Sequence, residues 1–161
     1  MSNSHRTRTR VLSVAVIIAA VAPLGILVAH DDQATGIYKT RHDEYHKLGD
    51  AFKTLRDQTR QDSPDVAAVR NAAQVVKDAS VNQFNWFPAG SGPAPGIKTR
   101  AKAEIWAKPQ DFEAAQKLFA AQAAKLNTVA AAGDVAGVKA QFGEVGKACK
   151  NCHDTFRTPE D

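Results

Sequence analysis

Residues 135–156 read VAGVKAQFGEVGKACKNCHDTF. Val135, Val138, Phe142, Val145, Cys149, Cys152 and Phe156 follow one another at alternating steps of three and four, the spacing of one helix face. Both cysteines of the chain lie in this stretch, and His153 follows the second. Two thiols three apart with a histidine immediately after form the C-x-x-C-H haem attachment signature. On a helix, Cys149 and Cys152 can each reach a vinyl group of one porphyrin, and the His153 imidazole can meet the iron as an axial ligand. The periodicity puts both thiols on the core seam, so the haem is expected edge-on within a helical core.

Other uses of this pentapeptide are weaker. Structural zinc takes four protein ligands, and no second cysteine pair exists to complete a set. His30, His42 and His46 could in principle contribute to a mixed zinc-stabilised site, but nothing in their spacing prompts one. A thioredoxin-like redox pair calls for a βαβ context, and a disulfide between positions three apart would close too small a loop to stabilise much.

Working outward, Gly133-Asp134 reads as the end of one helix and the cap of the next. Upstream, Pro109 opens a helix carrying Phe112, Ala115, Phe119, Leu126 and Val129 at helical spacing. Between Phe87 and about Lys108 the composition turns to Pro88, Gly90, Gly92, Pro93, Pro95 and Gly96, which predicts one long loop. Phe84, Trp86, Phe87 and Trp106 border it, and their apolar area predicts that the loop folds back over the core. Ser63-Pro64 reads as a helix start, Ser63 as cap, with Val66, Val69, Ala73 and Val76 forming the stripe that follows. From about Asp32 to Thr59, Ile37, Arg41, Tyr45, Leu48, Phe52 and Leu55 share one face while Asp43, Glu44, Lys47 and Lys53 occupy others. Four amphipathic helices joined by two short connections and one long one predict an all-α, antiparallel up-down four-helix bundle with covalently bound haem.

The chain has 161 residues, enough for one ordinary core. Its formal charge of +4 comes from 21 basic and 17 acidic residues. Arg6, Arg8 and Arg10 account for most of that excess, so the charge is no argument for nucleic-acid binding. Met1–Arg10 is polar and basic, and Val11–Ala29 is a nearly unbroken apolar run, the pattern of an export signal or a retained N-terminal anchor over residues 1–30. Residues 31–161 then form the bundle on the far side of the membrane, which places it in the periplasm.

With these features the chain resembles the cytochrome c′ family. The resemblance covers about Ile37 to Arg157. It rests on Arg41, Tyr45 and Leu48-Gly49; Phe87-Pro88-Ala89-Gly90-Ser91-Gly92; Lys98-Thr99-Arg100; Glu104-Ile105-Trp106; Ala132-Gly133-Asp134; and Val145-Gly146 leading into the haem motif with Phe156-Arg157. It implies haem c attached at Cys149 and Cys152, with His153 as the only protein ligand of iron. Arg41 would pair with a propionate, and His42 would stand where relatives often carry another propionate donor. Tyr45 would take the distal position, Ser91 and Gly92 would touch the porphyrin edge, and Arg157 would lie on the proximal side.

The sole methionine is Met1, so the bundle offers iron no thioether, and an open sixth position with five-coordinate, high-spin iron is expected. An apolar pocket that offers no hydrogen bonds admits NO and CO while penalising water and anions. The resemblance further implies gas binding, one-electron transfer with redox partner proteins, and a homodimer through the first two helices. The alternative is a dedicated low-spin electron carrier of a respiratory or denitrifying chain. No nucleophile–base pair, phosphate-cradling glycine loop or framed carboxylate pair indicates an enzyme.

Overall fold

The computed structural model describes residues 26–159, with side chains from residue 36 onward. The signal or anchor expected over residues 1–30 lies outside the described residues, apart from helical backbone that begins at Ile26. Among the described residues no helix is long and apolar enough to cross a membrane.

The described residues form five helices in order: α1 (Ile26–Gln58), α2 (Val66–Asn82), α3 (Glu104–Ala107), α4 (Pro109–Ala131) and α5 (Val135–Phe156), with a 3₁₀ turn at Gln83–Asn85 after α2. α1, α2, α4 and α5 form the expected four-helix bundle, and α3 is a single turn inside the long loop. α1 packs on α2, α2 on α4 and α4 on α5, whereas α1 meets α5 only sparsely. The bundle is therefore closed on three sides and parted along the fourth, which is the side that matters for function.

α1 starts upstream of the expected Asp32, since no proline interrupts residues 26–58. The start of α2 also differs from the sequence reading. Asp65 is the cap, not Ser63, and its carboxylate accepts from the N–H groups of Ala67 (2.8 Å) and Ala68 (3.1 Å). A carboxylate suits the positive end of a helix dipole better than a hydroxyl does, and Gln58 Oε1 accepts from the Asp65 N–H at 2.7 Å, which ties the cap to the end of α1. At the other junction the reading holds. Gly133 sits at φ +76°, a left-handed conformation that favours glycine, and Asp134 accepts from the Gly137 N–H at 2.8 Å.

Two clusters make up the core. The larger is built from Leu48, Leu55, Val69, Val76, Phe119, Leu126, Val138 and Val145, with Tyr45, Phe52 and Cys149 against its edge. The smaller comprises Ile105, Phe112, Ala115 and Phe156, with Cys152 beside it. The long loop folds back as its aromatics predicted: Trp86 is buried, and Trp106 donates its indole N–H to the Pro88 carbonyl at 3.0 Å. Phe84 is the exception, because the 3₁₀ turn carries it outward and leaves it 41% exposed. Leu126 is fully buried; Leu126→Ala is expected to cost about 2–5 kcal/mol in urea-melt stability while leaving the helical signal intact.

Candidate haem site

Where α1 and α5 part, a cavity of about 1300 Å³ opens. α1 supplies Tyr38, Arg41, His42 and Tyr45 to its walls, and α5 supplies Cys149, Cys152 and His153. Seven of the nine residues singled out from sequence line it: Arg41, His42, Tyr45, Cys149, Cys152, His153 and Arg157. Ser91 and Gly92 are not on the wall. They lie behind Arg41, Ser91 buried and holding the arginine, Gly92 against the Trp106 ring and accepting the Tyr38 hydroxyl at its carbonyl.

Arg41 is the most constrained side chain of the site. Although it is a charged residue, only 6% of it is exposed. Its Nε donates to the Trp86 carbonyl at 2.9 Å, and its Nη2 donates to the Ser91 carbonyl at 3.0 Å and Oγ at 2.7 Å. Its guanidinium carbon stands 4.3 Å from the centre of the Phe87 ring, a cation–π contact. Burial lowers its pKa, partly offset by Tyr38 and Tyr45, yet an arginine stays protonated under any ordinary condition. One donor is left over: Nη1 is buried and has no hydrogen-bond partner. A buried, charged N–H without a partner is costly, so an acidic group reaching this corner of the cavity would be strongly favoured.

Across the cavity the two thiols are half-buried on α5. Burial pushes each up to about 11, aided at Cys149 by its neighbour Cys152. At neutral pH both are therefore protonated and slow to form thiolates. Tyr45 stands against the thiols, edge-on to Trp86 with ring centroids 5.0 Å apart. Burial, then the proximity of Cys152, raises its phenol above the ordinary tyrosine range, and Arg41 offsets only part of this. The phenol therefore remains neutral. His153 projects from the last turn of α5, and Arg157 Nη1 lies 3.3 Å from its Nδ1. Ligation of a metal through His153 Nε2 needs the proton on Nδ1, so that contact must give way when the ring binds.

A clasp fixes the end of α5 beneath the cavity. Ala101 and Arg157 form an isolated antiparallel bridge, with the Lys102 N–H on the Phe156 carbonyl at 3.0 Å and the Thr158 N–H on the Arg100 carbonyl at 2.9 Å. Sequence reasoning missed this clasp, since pairing between a loop and a helix end leaves no periodic trace. It also missed Tyr38, although Tyr38 stands three before Arg41 and seven before Tyr45, a spacing that puts it on their face.

Two thiols on one helix face, an imidazole below them and an unmet guanidinium N–H in the same cavity fit a large, flat, apolar group with acid substituents. Haem is such a group. In haem-free protein, stability should fall as pH rises from about 9 toward 11, because unfolding lets each thiol ionise at its ordinary 9.0. The folded state binds more protons in that window, so the slope is negative. Urea midpoints measured against pH should fall less steeply for the Cys149→Ala/Cys152→Ala double variant.

Comparison with known proteins bears on the same residues. The family described as Cytochrome C′ matches residues 37–157. Cytochrome c′ of Rubrivivax gelatinosus is 44% identical over 68 residues, 42% of this chain and 53% of that protein. Cytochrome c′ of Rhodocyclus tenuis is 31% identical over 125 residues, 75% of this chain and 92% of that protein. Among solved structures, a cytochrome c′ described by its ligand-controlled dimer dissociation superposes with a TM-score of 0.73 at 27% identity, covering 78% of this chain and 97% of the other. The nitric oxide complex of a variant of cytochrome c prime from Alcaligenes xylosoxidans gives 0.70 at 27% identity, covering 79% and 97%. The chain belongs to the cytochrome c′ family of haem c proteins.

Proposed function

We propose that this protein binds NO and CO at a five-coordinate haem c and takes part in periplasmic one-electron transfer. Haem supplies vinyl groups to which the Cys149 and Cys152 thiols add, and an iron with one position for a diatomic gas and a one-electron couple. His153 is the protein ligand. Arg41 would pair with a propionate through its unmet Nη1, with His42 at the same rim, while Ser91 holds Arg41 in place and Gly92 packs on Trp106 in the same loop. Arg157 would stay beside the His153 ring after giving up its contact with Nδ1.

The observation that carries this reading is the character of Tyr45. A neutral phenol walled in by Trp86 and Phe87 is a poor ligand for iron, because ligation would require ionising it in a place that resists charge. No methionine occurs among the described residues. The site thus lacks both a thioether and an accessible phenolate, which supports an open sixth position. Relatives solved with nitric oxide support the gas. Export ahead of haem attachment accounts for the apolar N-terminal run. No catalytic turnover is assigned. Exposed Val75 and Val81 on α2 support self-association through α1 and α2, which sedimentation of the haem-loaded chain would show as a dimer and refute as a monomer at all concentrations.

Absorption and EPR spectra of the ferric and ferrous forms, with and without NO, test the reading. High-spin iron in both states with NO uptake is expected. Low-spin spectra in both states without uptake would favour the dedicated electron carrier instead. In Tyr45→Leu, CO affinity should rise by roughly tenfold, equivalent to a steric relief of about 1.4 kcal/mol, while the iron stays five-coordinate.

A further inference from the structure

His42 and His46 stand one turn apart on the solvent face of α1, at the rim of the cavity. Their Nε2 atoms are 3.1 Å apart, with ring centroids at 4.3 Å. The His42 Nδ1 faces Asp43 Oδ1 at 3.2 Å. We propose that His42 and His46 form a binding seat for a divalent transition-metal ion, copper above nickel and zinc, separate from the iron.

The argument is geometric first. Two imidazoles four apart on a helix share one face, the arrangement by which paired histidines hold a metal. Two nitrogens 3.1 Å apart, each about 2.0–2.1 Å from an ion, subtend roughly 100° at it. That angle lies between square and tetrahedral values, so the spacing suits one ion once the two rings pivot to aim both lone pairs at it.

Protonation points the same way. With Nδ1–H of His42 donating to Asp43, its Nε2 carries a lone pair, and His46 Nε2–H must be the donor in the contact between the rings. Metal binding requires only that the His46 proton move from Nε2 to Nδ1, which solvent can carry because both rings are exposed. Asp43 then plays the part of the carboxylate that orients a metal-bound histidine. The neighbouring ammonium groups do not oppose a cation strongly, since Lys39 pairs with Asp43 and Lys47 with Glu44.

Among the described residues no group of three such ligands comes together, so water fills the remaining positions. Neutral imidazole favours copper among the divalent first-row ions. The seat shares His42 with the rim of the haem cavity but draws on neither the iron nor its open position, so its copper titration can fail without touching the gas-binding reading.

Titration of the purified haem-loaded chain with copper(II) tests it, read by calorimetry and by the nitrogen couplings in the copper EPR signal. One ion per chain with two coupled nitrogens is expected. His42→Gln and His46→Gln should each weaken binding by at least about tenfold, and Asp43→Ala by about tenfold. His5→Gln and His30→Gln should leave it unchanged. Copper binding that survives both His42→Gln and His46→Gln, or that disappears only with His5→Gln or His30→Gln, would overturn the proposal. So would a signal without two coupled nitrogens.

Discussion

A single buried guanidinium organises the functional half of this bundle. Arg41 leaves the apolar stripe of α1 and is held by the carbonyls of Trp86 and Ser91, 45 and 50 residues away in sequence. Those bonds pin the start of the long loop to α1 and fix the position of Phe87, whose ring lies under the guanidinium. The cost of burying a charge is met on three sides by carbonyls, a hydroxyl and aromatic faces. On the fourth side Nη1 remains without a partner and defines where an anion belongs.

The same corner lies where the bundle parts between α1 and α5. Three of the four interfaces are packed with valine, leucine, alanine and phenylalanine, as in an ordinary helical core. At the fourth, Tyr45, Cys149 and Cys152 face the cavity, and the clasp between residues 100–102 and 156–158 ties the end of α5 to the long loop. Walls of this kind lose dispersion contacts along their whole length. Whatever fills the space returns those contacts and stabilises the fold by mass action. In a haem c protein the filling is covalent, so the folded state and the cofactor become one unit.

Much of this was legible in the sequence because helical periodicity and the haem motif are both local. The α5 stripe from Val135 to Phe156 forecast the helix, its buried face and the placing of both thiols on the core seam. The α1 stripe placed Arg41 and Tyr45 on the same wall. What escaped was non-local or depended on competition between neighbours. Asp65 displaced Ser63 as the cap because its carboxylate reaches two N–H groups at once. Phe84 turned outward because a 3₁₀ turn, not a continued helix, follows Asn82. Ser91 and Gly92 proved to lie one layer behind the cavity wall, a distinction that spacing along a loop cannot express. The meeting of His42 and His46 was latent in their four-residue interval, but the partner of His42 Nδ1 emerged only with the side chains.

The most direct test of the account is the colour and mass of the exported chain. Purified protein should carry a Soret band that survives acid–acetone extraction and the mass of one haem per chain, both lost in Cys149→Ala/Cys152→Ala. An exported chain that comes out colourless, at the mass of the polypeptide alone, would contradict it.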